Sequence, residues 1–82
     1  MQGNIYNINW QQGIVAVLTE SENFSIFEIL SDDNIEIGDE VFWTENHPLG
    51  DCEIKNISKD ETIQVYFQNH WIEEKKLRKW KL

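Results

Sequence analysis

Three side chains in this 82-residue chain carry the soft donor atoms used in metal binding and covalent chemistry: His47, Cys52 and His70. Three such ligands around an open fourth position would suit a catalytic zinc ion. Their separations of five and eighteen residues match no zinc signature. Cys52 falls on the inward side of an alternating segment, where a small thiol packs as a hydrophobe. A thiol–imidazole pair could also serve as a nucleophile, but neither a strained elbow nor a glycine-rich phosphate loop accompanies it. The acidic stretch Asp32-Asp33-Asn34-Ile35-Glu36-Ile37-Gly38 places Asp32, Asn34 and Glu36 alternately, as a calcium loop does. Such a loop also needs glycine at its sixth position and glutamate at its twelfth. Ile37 and Trp43 stand there instead, so the stretch reads as a solvated loop turning at Gly38. No residue is assigned to catalysis, to a cofactor or to a metal, and the chain is expected not to be an enzyme.

What remains is recognition, and here the charge is unevenly divided. Residues 1–70 hold thirteen of the fifteen acidic groups and only two bases, Lys55 and Lys59, a balance of −11. Residues 71–82 hold five of the seven bases against Glu73 and Glu74, a balance of +3. Aromatic rings and cations together form the candidate interaction surface: Tyr6, Trp10, Tyr66, Trp71, Lys75, Lys76, Arg78, Lys79 and Trp80. Small barrels often stack nucleic-acid bases on such rings. Phosphate contacts need lysine and arginine, however, and a body at −11 repels a phosphate backbone. The apolar set of the tail (Trp71, Ile72, Leu77, Trp80 and Leu82) is sparse for a membrane surface, and the acidic body opposes anionic lipid.

The elements that must position these residues are strands. Short runs of β-branched and aromatic residues alternate with turn chemistry, the pattern of a small all-β domain. Strands are expected over 4–10, 14–19, 24–30, 41–45, 51–57 and 62–68. Ile5 and Ile8 lie three apart and share a face only across a bulge. The nearly continuous apolar character of Ile14 to Thr19 implies burial on both sides, whereas Cys52 and Ile54 alternate with Asp51, Glu53 and Lys55. Val41 and Trp43 face one way, as do Ile63, Val65 and Phe67. Strands this short suit an antiparallel barrel of five or six strands, OB-like or SH3-like, because an open sheet would leave bare edges.

Residues 71–82 are the one helical segment expected. Its acidic first turn and basic last turn complement a helix dipole, and Glu74 and Arg78 form an i,i+4 pair in the favoured order. Eleven or so residues are too few to stay helical alone in water, so this basic tail must dock, either on its own barrel or on a neighbouring subunit in a homodimer.

Gly3-x-Ile5, Gly13-x-Val15-x-Val17, Phe24-Ser25-Ile26-Phe27-Glu28-Ile29-Leu30, Ile37-Gly38-Asp39-Glu40-Val41, Leu49-Gly50, Asn56 and Val65-x-Phe67-Gln68-Asn69 together carry a resemblance. Over residues 1–70 the chain resembles a group of small uncharacterised bacterial single-domain proteins with an OB/S1-like barrel. The resemblance implies a barrel and brings no activity. S1-like proteins usually present basic surfaces, from which this chain departs.

A single cysteine excludes an internal disulfide and fits a reducing compartment. The first residues show neither the basic nor the apolar region of a secretory signal. The longest apolar run, Ile14 to Leu18, is far below the ~20 residues that span a bilayer. The expectation is an acidic cytoplasmic protein that acts as a protein-interaction or regulatory module with a protein partner. Binding of single-stranded nucleic acid through an aromatic barrel face and the basic tail is the alternative.

Overall fold

Among the described residues six strands form, and every pairing between them is antiparallel. They are β1 (Gln2–Asn9), β2 (Ile14–Thr19), β3 (Phe24–Ile29), β4 (Glu40–Phe42), β5 (Gly50–Asn56) and β6 (Glu61–Ile72). A 3-10 helix, η1 (Glu74–Trp80), follows. The computed structural model describes residues 1–30 and 34–82. Asp32 and Asp33, the first members of the acidic stretch, therefore lie outside the described residues.

Neighbours run β1-β2-β3-β6-β5-β4 around a closed barrel. Two three-stranded meanders, β1-β2-β3 and β4-β5-β6, are joined where β1 meets β4 and β3 meets β6. Closure removes most of the free edge that an open sheet of this size would expose. Inward side chains fill the lumen: Ile5, Val15, Val17, Phe27, Val41, Trp43, Ile54, Ile63, Val65 and Phe67 are all buried. Phe67 is the hub, edge-on to Phe27 at 5.5 Å and tilted against Trp43 at 4.9 Å between ring centroids. Each fully buried side chain of this kind contributes about 1.5–3 kcal/mol.

Local chemistry explains where the strands bend. The register of β1 against β2 shifts between Ile5 and Asn7, and this bulge lets Ile5 and the partly buried Ile8 both pack on the core. Beside it, Gly3 permits β1 and β2 to approach closely: a Cβ there would stand 2.5 Å from the Leu18 carbonyl oxygen. The fourth strand is shorter than its composition suggests. After Phe42 the chain curls inward, and the buried Trp43 indole donates to the carbonyl of Asn46 at 3.3 Å. The sixth strand is longer, because β3 continues to pair with it through Asn69 and Ile72. Trp71 and Ile72 are therefore strand residues, and the helical segment expected from residue 71 begins only at Glu74.

The β3–β4 connection is clamped by one buried carboxylate. Asp39 accepts from the Asn56 amide at 3.0 Å, the Glu36 backbone N–H at 2.9 Å and Lys59 Nζ at 3.2 Å. Lys59 also reaches Glu36 at 3.0 Å. Burial works to raise the Asp39 pKa, but those hydrogen bonds and the Lys59 charge outweigh it and hold the carboxyl below its ordinary value. No helix among the described residues is long and apolar enough to cross a membrane.

Candidate binding cleft beside the C-terminal helix

The end of β6 is irregular, and the irregularity decides which rings are presented. Against β3, Phe27 pairs with Phe67, Ile26 with Asn69 and Phe24 with Ile72, so the register shifts twice within six residues of β6. Two bulges accommodate the extra residues. At the second, Trp71 takes φ +56°, in the left-handed region. For a non-glycine residue this conformation costs about 1–2 kcal/mol. The result is that His70 turns inward and Trp71 turns out, leaving the indole 62% exposed.

His70 is held on both sides. Its Nδ1 is hydrogen-bonded with the buried Ser25 hydroxyl at 2.7 Å, and its Nε2–H donates to the Pro48 carbonyl. Because a carbonyl only accepts, Nε2 carries a proton, and in the neutral ring Nδ1 is then the acceptor for Ser25. Burial lowers the His70 pKa, and the nearby His47 acts in the same direction, while the Pro48 bond opposes them. The ring also stacks on Phe67 at 5.0 Å. This tether fixes the His47–Pro48 loop, and His47 in turn lies on Trp71 with ring centroids 3.8 Å apart and planes 31° apart.

The metal reading of His47, Cys52 and His70 meets this geometry directly. Both His70 nitrogens are engaged, and the described residues contain no group of three or more His, Cys, Asp or Glu placed to hold a metal ion. The half-buried Cys52 packs against the core, and its thiol pKa is pushed up by burial and then by Glu45 and Glu53. A raised pKa leaves it a poor nucleophile. Ser25 lies within hydrogen-bonding reach of an imidazole, but both groups are buried and the ring's other nitrogen meets a backbone carbonyl rather than a carboxylate.

The second wall of the cleft is η1, and its 3-10 period organises it. Residues three apart eclipse in such a helix, so it presents three rows. Glu74, Leu77 and Trp80 face the barrel. Leu77 is buried against Ile14, Ala16, Phe24 and Ile26, with Ile72, Trp80 and Leu82 packed around them. At one end the Tyr6 hydroxyl donates to Glu74 at 2.5 Å, and at the other the Asn9 amide donates to the Trp80 carbonyl at 3.0 Å. The Glu74 carboxylate raises the Tyr6 pKa, first by that hydrogen bond and then by its charge. Six residues of 3-10 rise span about 12 Å, close to the ~10 Å of strand between Tyr6 and Asn9. The expected Glu74–Arg78 pair gives way to this arrangement, since the four-residue spacing that aligns an α-helix does not align η1.

The second row, Glu73, Lys76 and Lys79, turns toward β6. With Asn69, Trp71, Ile72 and Trp80 it lines a cleft of about 240 Å³. Four of the nine residues of the expected interaction surface thus meet here: Trp71, Lys76, Lys79 and Trp80. The others lie elsewhere. Tyr6 fastens the helix and sits edge-on to Phe24 at 4.8 Å. Trp10 is exposed on the β1–β2 turn, and Tyr66 stands on the outer surface between Glu28 and Asp51 of the flanking strands. Lys75 pairs with Glu73 at 3.4 Å, and Arg78 faces solvent.

Sequence reasoning missed Asn69 and the place of His47. The expected strand stops at Gln68, and only the register with β3 reveals that it runs on through Asn69 and His70 and carries Trp71 outward. Comparisons with protein-family models, curated proteins and solved structures find no match to this chain.

Proposed function

We propose that this chain is an acidic cytoplasmic protein-interaction or regulatory module without catalytic activity, and that the cleft beside η1 is its recognition surface. The observation that carries the reading is Trp71. Backbone strain tends to persist where surrounding structure enforces it for a purpose, and here it presents an indole to solvent instead of burying it. Exposed aromatics beside cations are the usual anchors of protein interfaces. Trp71 and Trp80 offer apolar contact, while Lys76 and Lys79 offer charge. The complementary partner segment bears an apolar or aromatic side chain next to a carboxylate.

Single-stranded nucleic acid is the second reading, favoured by the His47–Trp71 stack lying beside two lysines. The −11 body weighs against it. Affinity capture from source cells with the wild type, Trp71→Ala and Lys76→Glu/Lys79→Glu tests the first reading. A protein partner held by the wild type and lost from both variants supports it. Titration of labelled single-stranded RNA and DNA at several salt concentrations tests the second. Micromolar or tighter affinity falling steeply with salt would displace the protein-module reading, and no binding at low salt removes the nucleic-acid one. Sedimentation at two concentrations shows whether the partner is a second copy of the chain.

A further inference from the structure

A second surface lies where β4 parts from β5. These strands pair only through Val41 with Asn56 and Phe42 with Lys55. Beyond that point β5 is paired on its β6 side alone, from Gly50 through Ile54. The chain after Phe42 follows the amino terminus instead: the Trp43 N–H donates to the Met1 carbonyl at 3.0 Å, and the Met1 ammonium donates to the Trp43 carbonyl at 2.7 Å. Between the diverging strands is an opening of about 340 Å³ lined by Phe42, Trp43, Thr44, Glu53, Ile54, Lys55 and Thr62. An otherwise closed barrel thus keeps five residues of strand with one margin unpaired.

The charge around this margin selects what can pair with it. Asp51 and Glu53 are exposed on β5, and Glu45 lies near enough to raise the Cys52 pKa together with Glu53. The one cation in the opening, Lys55, is engaged by Asp60 at 3.0 Å. Two copies of such an acidic edge repel each other, which is how natural sheets discourage edge-to-edge association. The same charges attract a cationic strand. Five residues of strand span about 17 Å, and the half-exposed Phe42 offers apolar contact to alternate side chains of an incoming segment.

From this geometry we propose that the unpaired margin of β5 binds an extended, basic segment of a partner protein by strand addition. Main-chain hydrogen bonds supply affinity, and alternate lysine or arginine side chains meet Glu45, Asp51 and Glu53. The surface is separate from the Trp71 cleft and does not depend on the function assigned there.

The test is a titration of the isotope-labelled full chain with a capped heptapeptide of alternating Lys and Val, followed by amide shifts and hydrogen exchange. The expected result is shifts concentrated in residues 50–54 and 42–44, slowed exchange at Asp51 or Glu53, and at least tenfold weaker binding to Glu45→Lys/Glu53→Lys. Trp71→Ala should bind the peptide as the wild type does. Backbone N-methylation of alternate peptide residues should abolish binding. An N-methylated peptide that binds equally well, shifts centred on Trp71, or the absence of any shift would each overturn the proposal.

Discussion

The outer faces of β2–β3 and of β5–β6 belong to one small barrel and could hardly differ more. On β2 the run Ile14-Val15-Ala16-Val17 is buried throughout, because Val15 and Val17 fill the lumen while Ile14 and Ala16 lie beneath η1. On β5, Cys52 and Ile54 point inward, but Asp51, Glu53 and Lys55 stand in solvent. One sheet region is double-covered and the other single-covered. The contrast shows what holds the tail. A +3 segment on a −11 body suggests electrostatic docking, yet the described residues contain no ion pair between a tail cation and the barrel. Leu77, the Tyr6–Glu74 bond and the Asn9–Trp80 bond provide the attachment. Lys76 and Lys79 are thereby left at the cleft.

The largest effect that breaks this contrast is removal of Leu77. Leu77→Ala should cost about 2–4 kcal/mol by loss of transfer energy and creation of a cavity. In a domain of this size that lowers the melting temperature by roughly 10–20 °C. Leu49→Ala, on an exposed side chain, should change stability by no more than about 0.5 kcal/mol. Equal effects at the two positions would mean that the helix is not docked.

Next comes acid. The folded pKa of Asp39 lies below its ordinary 3.8, so its contribution is fully present above that value and is lost as pH falls through the depressed folded pKa. Thermal melts should therefore show a steeper loss of stability below about pH 4 in the wild type than in Asp39→Asn. Parallel curves would remove Asp39 from the account.

Smaller still is the effect at the strained bulge. Trp71→Gly relieves a left-handed conformation but loosens the unfolded chain and loses the His47 stack, so these effects nearly cancel and stability should stay within about 1 kcal/mol of the wild type. A clear loss of stability would show that Trp71 serves packing rather than presentation. Smallest is Lys76→Glu/Lys79→Glu, which should leave the stability within about 0.5 kcal/mol of the wild type if charge does not hold the tail.

Much of the barrel was legible because strand faces repeat every two residues. The double burial of β2, the alternation of β5 and β6 and the bulge between Ile5 and Ile8 all follow from that period. The site was less legible. Glu74 and Arg78 suit an α-helix, and nothing in their spacing announces the three-residue period that puts Lys76 and Lys79 in one row with Glu73. Asn69 joins the cleft, and His47 comes to lie on Trp71, only through the bulges of β6 and the His70–Pro48 tether, which are long-range contacts with no local signature. The opening beside β5 was equally hidden, since Trp43 reads as strand and is drawn inward by the core.

Amide hydrogen exchange on the intact chain, at low salt and at about 1 M salt where screening acts within ~3 Å, tests most directly whether apolar burial holds the helix. The N–H groups of Lys76, Lys81 and Leu82 donate to the carbonyls of Glu73, Arg78 and Leu77. Their protection should be well above that of a free peptide and should survive high salt. Exchange at free-peptide rates, or protection that collapses in high salt, would contradict the claim that Leu77 rather than charge seats the helix and builds the cleft.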